Sequence, residues 1–385
     1  MQEHFWGYLR PDGRVGTRNH VAVLACMDNV NGVVRGIASL VKPVLPITIW
    51  YGRGQFGADA RLIERTLIGL GSNPNIASVL VISLEPVSAN KIAEGIAATG
   101  KRVEVLNVQG SGGSLNAIYQ GVRSVLPLIQ EAGLMRREKF SLEYLTVGVE
   151  CGGSDTTSGI ASNPCVGYVA DRIVDAGGTV ILSETSEFMG AEHLLAKRAA
   201  TPELGERIIR AVARIEEDAK KRGVDIRGAN PVPDNIRGGI TTIEEKSLGA
   251  IAKGGSRVIQ DLLEFAQKPT RRGLNLMDTP APACESMTGL AAGGANLILF
   301  STGVGNIVGN PIAPTVKITG NINTIKSMPD NIDVCVDGII DGRETLEEAG
   351  ERLLKEMLEM ASGKLTRAEV LGQEEIAFNR IEPTV

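Results

Sequence analysis

Histidine and aromatic residues are scarce in this 385-residue chain, which has three histidines and 4% aromatic residues. So few histidines argue against a histidine-rich metal cage, and a metal would have to be held by carboxylates, thiolate, carbonyls or water. The five cysteines are an odd number at irregular spacing, which indicates reduced thiols rather than a disulfide framework.

Long apolar runs are also missing, and the first residues lack the basic start and apolar stretch of a signal peptide. The net charge is −5 and the basic residues are scattered, which argues against a nucleic-acid-binding surface. We therefore expect a soluble cytoplasmic protein that binds neither membranes nor nucleic acids.

Glycine is abundant, with 46 residues, and many of these glycines directly follow short apolar runs. The recurring order of apolar strand, glycine or polar turn and amphipathic helix predicts an α/β fold with two domains, whose mostly parallel sheets are flanked by helices. A charged segment at residues 135–139 suggests the boundary. We expect an N-terminal α/β domain at 1–138 and a C-terminal α/β domain at 139–385, which carries most of the motifs.

Polar loops follow three predicted strands of the C-terminal domain. Residues 150–155 come after the first strand, residues 183–187 after the second and residues 301–306 after the third. Ligands of parallel α/β sheets bind at the carboxyl ends of strands, so these loops predict one shared site.

Each loop also has an ordinary explanation when it is taken alone. The Gly-Gly-Ser-Asp sequence after Cys151 suits a turn followed by a helix cap, and Cys151 itself suits a small buried side chain. Glu184 and Glu187 suit the first turn of a helix, where the dipole favours acids. The prediction of a site therefore depends on the three loops together.

Two further polar segments stand outside this pattern. Residues 10–19 place three arginines in a glycine-rich turn, which is either a solvated turn or a clamp for an anionic substrate. Thr242 and Glu245 have the spacing of a capping box. Lys246, directly after the carboxylate of Glu245, is also a candidate general acid or anion partner.

In order along the chain, these motifs resemble those of the catalytic portion of the altronate/galactarate dehydratase family, which also includes the large subunit of (2R)-sulfolactate sulfo-lyase. The resemblance covers nearly the whole chain. The matching segments are residues 7–19, 150–155, 158–159, 163–164, 184, 187, 190–192, 238–242, 246–249 and 300–303.

The resemblance implies a lyase that removes water or sulfite from a hydroxy acid by β-elimination, with a divalent metal such as iron. A base takes the proton next to the carboxylate, a cation holds the enediolate and an acid assists the leaving group. The candidates for proton transfer are Glu184, Glu187, Lys246 and Asp155. The candidates for substrate binding are Arg10, Arg14, Arg18, Asn19, Arg53, Ser154, Ser158, Asn163 and Thr302. The candidate metal ligands are Glu150, Cys151 and Glu184.

The chain departs from the sugar-acid members of the family at several positions. Asn29, Arg53 and Glu85 stand where the dehydratases carry cysteines, which weakens the case for iron. Val304 replaces an arginine, and Arg53 would favour a sulfonate. The small domain that precedes the Arg-Pro-Asp-Gly motif in the dehydratases has no counterpart here, so we expect a separate small subunit and an oligomer.

These features favour β-elimination from a small acidic hydroxy acid, with sulfolactate as the preferred substrate. A sugar-acid dehydratase subunit acting on altronate or galactarate is the first alternative. A non-catalytic homologue that binds an acid or a partner subunit is the second.

Overall fold

The computed structural model describes residues 3–226, 228–379 and 384. Its strands, in chain order, are β1 His4–Leu9, β2 Val15–Gly16, β3 His20–Ala25, β4 Val44–Ile47, β5 Ile76–Ser83, β6 Arg102–Asn107, β7 Glu138–Ser141, β8 Thr146–Cys151, β9 Thr179–Leu182, β10 Ile259–Leu263, β11 Gly273–Met277, β12 Leu297–Ser301, β13 Thr315–Thr319 and β14 Val334–Cys335.

The helices alternate with these strands, as the sequence predicts. They are α1 Asn31–Leu40, α2 Gly57–Ser72, α3 Pro86–Ala97, α4 Ser114–Leu134, α5 Asn163–Asp175, α6 Glu192–Lys197, α7 Pro202–Lys221, α8 Pro233–Arg237, α9 Ile243–Ala252, α10 Ala283–Ala292, α11 Ile322–Ser327, α12 Gly338–Asp341, α13 Leu346–Ala361 and α14 Arg367–Val370. Shorter turns are the 3₁₀ segments Asp28–Val30, Leu142–Tyr144 and Thr185–Phe188 and the π-helical turn Ser158–Ser162.

Two parallel sheets form the centre of the fold, which confirms the expected α/β class. The first has the strand order β4-β3-β5-β6, and the second has the order β10-β11-β9-β8-β12-β13-β14. All neighbouring strands within these two sheets run parallel. Helices cover both faces of such sheets, so strands like β5 and β12 are apolar and buried along their whole length.

A small antiparallel sheet pairs the start of the chain with β7, the strand that follows α4. Strand β1 lies between β2 and β7, and the expected boundary after residue 138 falls inside β7. Because β7 pairs with the N-terminal strand, residues 4–16 pack at the junction between the two parallel sheets.

At the junction between the two sheets, helices α2 and α10 pack closely against each other. Gly69 of α2 lies against Ala292 at the end of α10, where a Cβ atom on residue 69 would come within 2.4 Å of the Ala292 carbonyl oxygen. Leu67 of α2 and Met287 of α10 belong to the same buried apolar core. The two halves of the chain therefore share one continuous core along this contact.

The arginine-rich turn at residues 10–19 lies at the amino ends of the second sheet's strands. Thr17 donates its hydroxyl to the carbonyl of Asn296, and Asn296 precedes β12 and bonds to Thr146 at the start of β8. The predicted site lies at the opposite ends of these strands, about 16 Å away for five residues. Arg10, Arg14, Arg18 and Asn19 are thus not brought to that site, and the expected substrate clamp is corrected.

The guanidinium groups of the turn hold the chain together instead. Arg10 donates to the carbonyls of Pro74 (2.6 Å) and Arg18 (2.8 Å) and to Asn19 Oδ1 (2.7 Å). Arg14 bonds to Asp12 and to the carbonyl of Ser72. With their donors aimed at internal carbonyls and carboxylates, these side chains serve the fold.

Arg18 connects this turn to the C-terminal helices. It pairs with Glu369 at 2.7 Å and donates to the carbonyls of Met360 and Lys364. Its side chain is 7% exposed.

No helix among the described residues is both long and apolar enough to cross a membrane.

Arg18→Met tests this structural role. Removing the guanidinium leaves Glu369 and the carbonyls of Thr17, Met360 and Lys364 without this donor, so we expect the free energy of unfolding to fall by about 3 kcal/mol in urea denaturation. Arg343→Met is the control, because Arg343 forms exposed ion pairs and its loss should change stability by less than about 1 kcal/mol. Equal, small effects of both substitutions would contradict the assignment.

Candidate active site

The three polar loops predicted to form the site follow neighbouring strands. Strands β9, β8 and β12 are adjacent in the second sheet, so Glu184, Cys151 and Thr302 emerge at one edge. The three loops therefore lie next to one another at the carboxyl edge of the sheet.

Glycines allow the loops after β8 and β12 to touch. The amides of Gly303 and Val304 donate to the carbonyl of Gly153, at 3.0 and 2.9 Å. A Cβ atom on Gly303 would lie 2.2 Å from Asp155 Cγ, so only glycine fits there. The two loops consequently form one packed wall.

The carboxylate of Asp155 accepts several hydrogen bonds that hold this wall together. Its Oδ1 accepts hydrogen bonds from the Thr157 hydroxyl (2.6 Å) and the Ser158 amide (3.0 Å), and its Oδ2 accepts from the Asn321 amide group (2.7 Å). A carboxylate with this set of donors caps the following turn. Asp155 thus fixes the loop, and its predicted role in proton transfer has weaker geometric support.

Glu184 adopts a left-handed backbone conformation, with φ 73° and ψ 64°. This region is uncommon for residues other than glycine and asparagine. The Glu184 amide donates to Thr279 Oγ1 (2.8 Å), and its Oε2 accepts from the Cys151 amide (2.9 Å). The backbone amide and the carboxylate of Glu184 are therefore both hydrogen bonded to residues at or just after the ends of nearby strands.

A fully buried lysine, Lys253, neutralises Glu184. Its Nζ lies 2.8 Å from Glu184 Oε2 and 3.3 Å from Cys151 Sγ, and its side chain has no solvent exposure. Burial acts to lower the pKa of Lys253, but the acidic groups around it outweigh that effect and raise it, so the ammonium is retained. Burial raises the pKa of the Cys151 thiol, so the thiol is protonated.

Glu150 is a second buried acid behind this pair. Its Oε2 accepts hydrogen bonds from the hydroxyls of Ser183 (2.5 Å) and Ser286 (2.6 Å), and Ser286 also contacts Thr279 (3.1 Å). Burial first, and then the nearby Glu184, raise the pKa of Glu150 well above its ordinary value. Glu150 is accordingly a neutral acid inside a hydroxyl network.

Lys246 and Glu187 form a second ion pair, at the edge of a cleft. Lys246 Nζ lies 3.0 Å from Glu187 Oε2, and both residues hydrogen bond to the side chain of Asn230. Helix α9, which carries Lys246, begins with Thr242 accepting from the Glu245 amide. Glu245 itself bonds back to Thr241, so the predicted capping box is formed in part.

The cleft has a volume of about 300 Å³ and lies between the 154–163 segment and α9. Ser154, Ser158, Asn163 and Lys246 line it. Asn163 donates to the Gly249 carbonyl, while its Oδ1 is buried and has no hydrogen-bond partner among the described residues. The cleft therefore offers hydroxyl groups, one free acceptor and one ammonium group to a small polar ligand.

Two further predicted binding residues, Thr302 and Arg53, lie outside the cleft. Thr302 is buried, and its hydroxyl accepts from the Gly305 amide, so it shapes the loop. Arg53 lies in the first domain in an exposed loop after β4, near Glu85. The pKa of Glu85 is lowered mainly by its hydrogen bond with Ser88, with Arg53 adding to the effect. Arg53 contributes nothing to the walls of this cleft.

The residues predicted as metal ligands do not fit a metal ion. Glu150 is neutral and bonded to two hydroxyls, the Cys151 thiol is protonated, and Glu184 is already paired with an ammonium. A divalent cation would have to share its site with the Lys253 charge. No group of three His, Cys, Asp or Glu side chains is arranged for a metal in the described part of the chain.

Comparisons with known proteins place the chain in a family. Residues 7–133 match the second domain of D-galactarate dehydratase/altronate hydrolase, and residues 142–384 match the C-terminal domain of D-galactarate/altronate dehydratase. The chain belongs to the galactarate/altronate dehydratase family. It is therefore a lyase, which confirms the resemblance.

Individual relatives differ in their sequence identity with this chain and in the share of their own length that aligns with it. The beta subunit of (2R)-sulfolactate sulfo-lyase from Chromohalobacter salexigens is 42% identical over 98% of this chain and 97% of that protein. Galactarate dehydratase (L-threo-forming) of Escherichia coli is 32% identical over 94% and 73%, respectively. Altronate dehydratase of Bacillus subtilis is 31% identical over 97% and 77%.

Sequence reasoning missed Lys253, Ser183 and Ser286 as members of the site. Lys253 carried a signal, since it lies seven positions after Lys246, which is two helical turns, and ends an apolar helix before two glycines. Ser183 was part of the predicted loop but had no assigned partner. Ser286 lies in the first turn of α10, far along the chain, and no local pattern connects it with Glu150.

Glu150→Gln tests the neutral state of the buried acid. A glutamate whose pKa is raised by folding keeps a proton that the unfolded chain releases, so stability falls as pH rises above about 4.3, by up to about 1.4 kcal/mol per unit. Glutamine cannot ionise, and the variant should lack this contribution to the slope. Urea unfolding at several values between about pH 5 and pH 8 measures it.

The exposed residue Glu217 provides the control, because Glu217→Gln should keep the wild-type slope. A uniform loss of stability in Glu150→Gln at all pH values, with an unchanged slope, would show that Glu150 is ionised in the folded chain.

Proposed function

We propose that this lyase eliminates sulfite from (2R)-sulfolactate and that it works as one subunit of a two-subunit enzyme. The support is the 42% identity with a sulfo-lyase beta subunit, aligned over 97% of that protein. The sugar-acid dehydratases are less similar and align over 73–77% of their lengths. The partner would be a separate small subunit, as expected from the sequence.

The proposed reaction is a β-elimination. A base takes the proton from C2 of sulfolactate, the electron pair forms the C2–C3 double bond, and the C3–S bond breaks with its electrons leaving on sulfite. The enol that remains takes a proton at C3 and becomes pyruvate. The enzyme must therefore supply a base near C2 and positive charge near the carboxylate.

The ion pair between Glu187 and Lys246, which lines the cleft, is the observation that carries this assignment. Glu187 is the proposed base, and the Lys246 ammonium is the proposed partner of the substrate's negative charge as the enediolate develops. The free acceptor on Asn163 suits the 2-hydroxyl group, and Ser154 and Ser158 suit anionic oxygens. These roles need only this chain's own side chains.

Dehydration of altronate or galactarate is the competing function. It begins with the same proton transfer, so the same pair would serve it, and the hydroxyl-lined cleft also suits a polyhydroxy acid. The two functions differ in the leaving group, which is sulfite in one case and water in the other.

A direct assay separates them. The chain, alone and with the subunit that co-purifies from its host, is incubated with (2R)-sulfolactate, altronate and galactarate in turn. We expect sulfite and pyruvate from sulfolactate and no 2-keto sugar acid from the other two. Formation of a 2-keto sugar acid without sulfite would replace the proposal with the competing function.

Lys246→Met and Glu187→Gln test the proposed catalytic pair. Each should lower kcat/KM by about 100-fold or more, because a positioned acid–base group contributes that much to proton transfer. Lys197→Met is the control, since Lys197 is exposed on α6 and should retain wild-type activity. Steady-state kinetics on the accepted substrate decides the result, and near wild-type kinetics in either site variant would rule out that residue's role.

A further inference from the structure

Helix α9 is attached to the Glu184–Glu187 turn by two lysines on one face. Lys246 and Lys253 are seven positions apart, or about two helical turns, and they pair with Glu187 and Glu184, respectively. Ser247 adds a third contact, because its hydroxyl donates to the Met189 carbonyl at 2.7 Å. The helix and the turn therefore meet along a row of polar contacts.

The two ion pairs differ in access to the cleft. The side chains of Lys246 and Glu187 are 10% and 6% exposed, whereas those of Lys253 and Glu184 are 0% and 2% exposed. Lys246 lines the cleft, whereas Lys253 is fully buried behind it. Any effect of Lys253 on the reaction must pass through the two groups it contacts, Glu184 and Cys151, and Glu184 is its ion-pair partner.

The left-handed conformation of Glu184 determines where Glu187 lies. The 3₁₀ turn Thr185–Phe188 starts directly after Glu184, and the Glu187 amide donates to the Glu184 carbonyl at 2.9 Å. Glycine would adopt this backbone conformation with less strain. The chain instead has a glutamate whose carboxylate is held by the Cys151 amide and the Lys253 ammonium.

We propose that Lys253 is a positioning residue: through its ion pair with Glu184 it holds the left-handed turn that places Glu187 beside Lys246 at the edge of the cleft. The consequence for turnover rests on the proposed function, whereas the effect on the turn does not. Without the ammonium, Glu184 would be a buried carboxylate lacking its counter-charge, and the turn would relax to release it.

Lys253→Met removes the charge and keeps a side chain of similar length. Hydrogen–deuterium exchange followed by mass spectrometry then reports on the turn without any substrate. We expect about 10-fold or faster exchange in a peptide covering residues 184–191, whose amides bond to Thr279, Glu184 and Phe188.

The matched control for Lys253→Met is Lys317→Met. Lys317 is also a fully buried lysine, lies on β13 away from the cleft, and contacts the Ile307 carbonyl and Gln373. Its loss should leave exchange in residues 184–191 unchanged. Unchanged exchange in Lys253→Met as well, or equal acceleration in both variants, would overturn the proposal.

The double variant Glu184→Gln/Lys253→Met separates positioning from simple charge balance. It removes both charges together, so it should recover most of the thermal stability lost in Lys253→Met and remains testable if the single variant fails to fold. If Lys253 positions the turn, kcat stays about 100-fold low in the double variant while KM changes little. Wild-type kcat in the double variant would show that the lysine only balances a charge.

The two proposals fail in different ways. If wild-type enzyme turns over none of the three acids, the proposed function fails, and the exchange experiment still decides the role of Lys253. If the wild-type enzyme is active but Lys253→Met leaves both exchange and kcat unchanged, only the positioning role is lost.

Discussion

The ion pair between Lys253 and Glu184 is the contact on which the rest of the site depends. Two charges removed from water are tolerated only when they are close together and further satisfied by hydrogen bonds, and here the Cys151 amide supplies one of these. The pair joins α9 to the ends of β8 and β9. Because it also fixes the unusual backbone of Glu184, it determines the direction of the turn that carries Glu187.

Around this pair, the site separates buried acids from an accessible one. Burial and the nearby Glu184 raise the pKa of Glu150 and favour its neutral form, and the charge of Glu184 is balanced by a lysine. Among these three acids, Glu187 is the one that pairs with a residue lining the cleft, Lys246. Acids in different surroundings can take different roles, and of these three it is Glu187 whose surroundings suit proton transfer.

Lys253 also explains why the expected metal ligands do not fit a metal ion. An ammonium at 2.8 Å from Glu184 and 3.3 Å from Cys151 occupies the position where a cation would bind these groups. A protonated thiol and a neutral carboxyl are poor ligands for a divalent ion. The residues that sequence patterns suggest for a metal are instead organised around a cation that the chain itself provides.

The sequence by itself determined the fold class, the loops that meet at the sheet edge and the family. Those properties follow from local patterns, since apolar runs with glycine turns predict parallel strands whose carboxyl ends share one edge. Glu184, Glu187 and Lys246 could be chosen in this way. The tertiary structure alone decided that the arginine turn lies at the opposite edge, that Asp155 caps a loop and that Lys253 is buried against Glu184. Burial and charge pairing depend on contacts between residues far apart in the chain, and no local spacing records them.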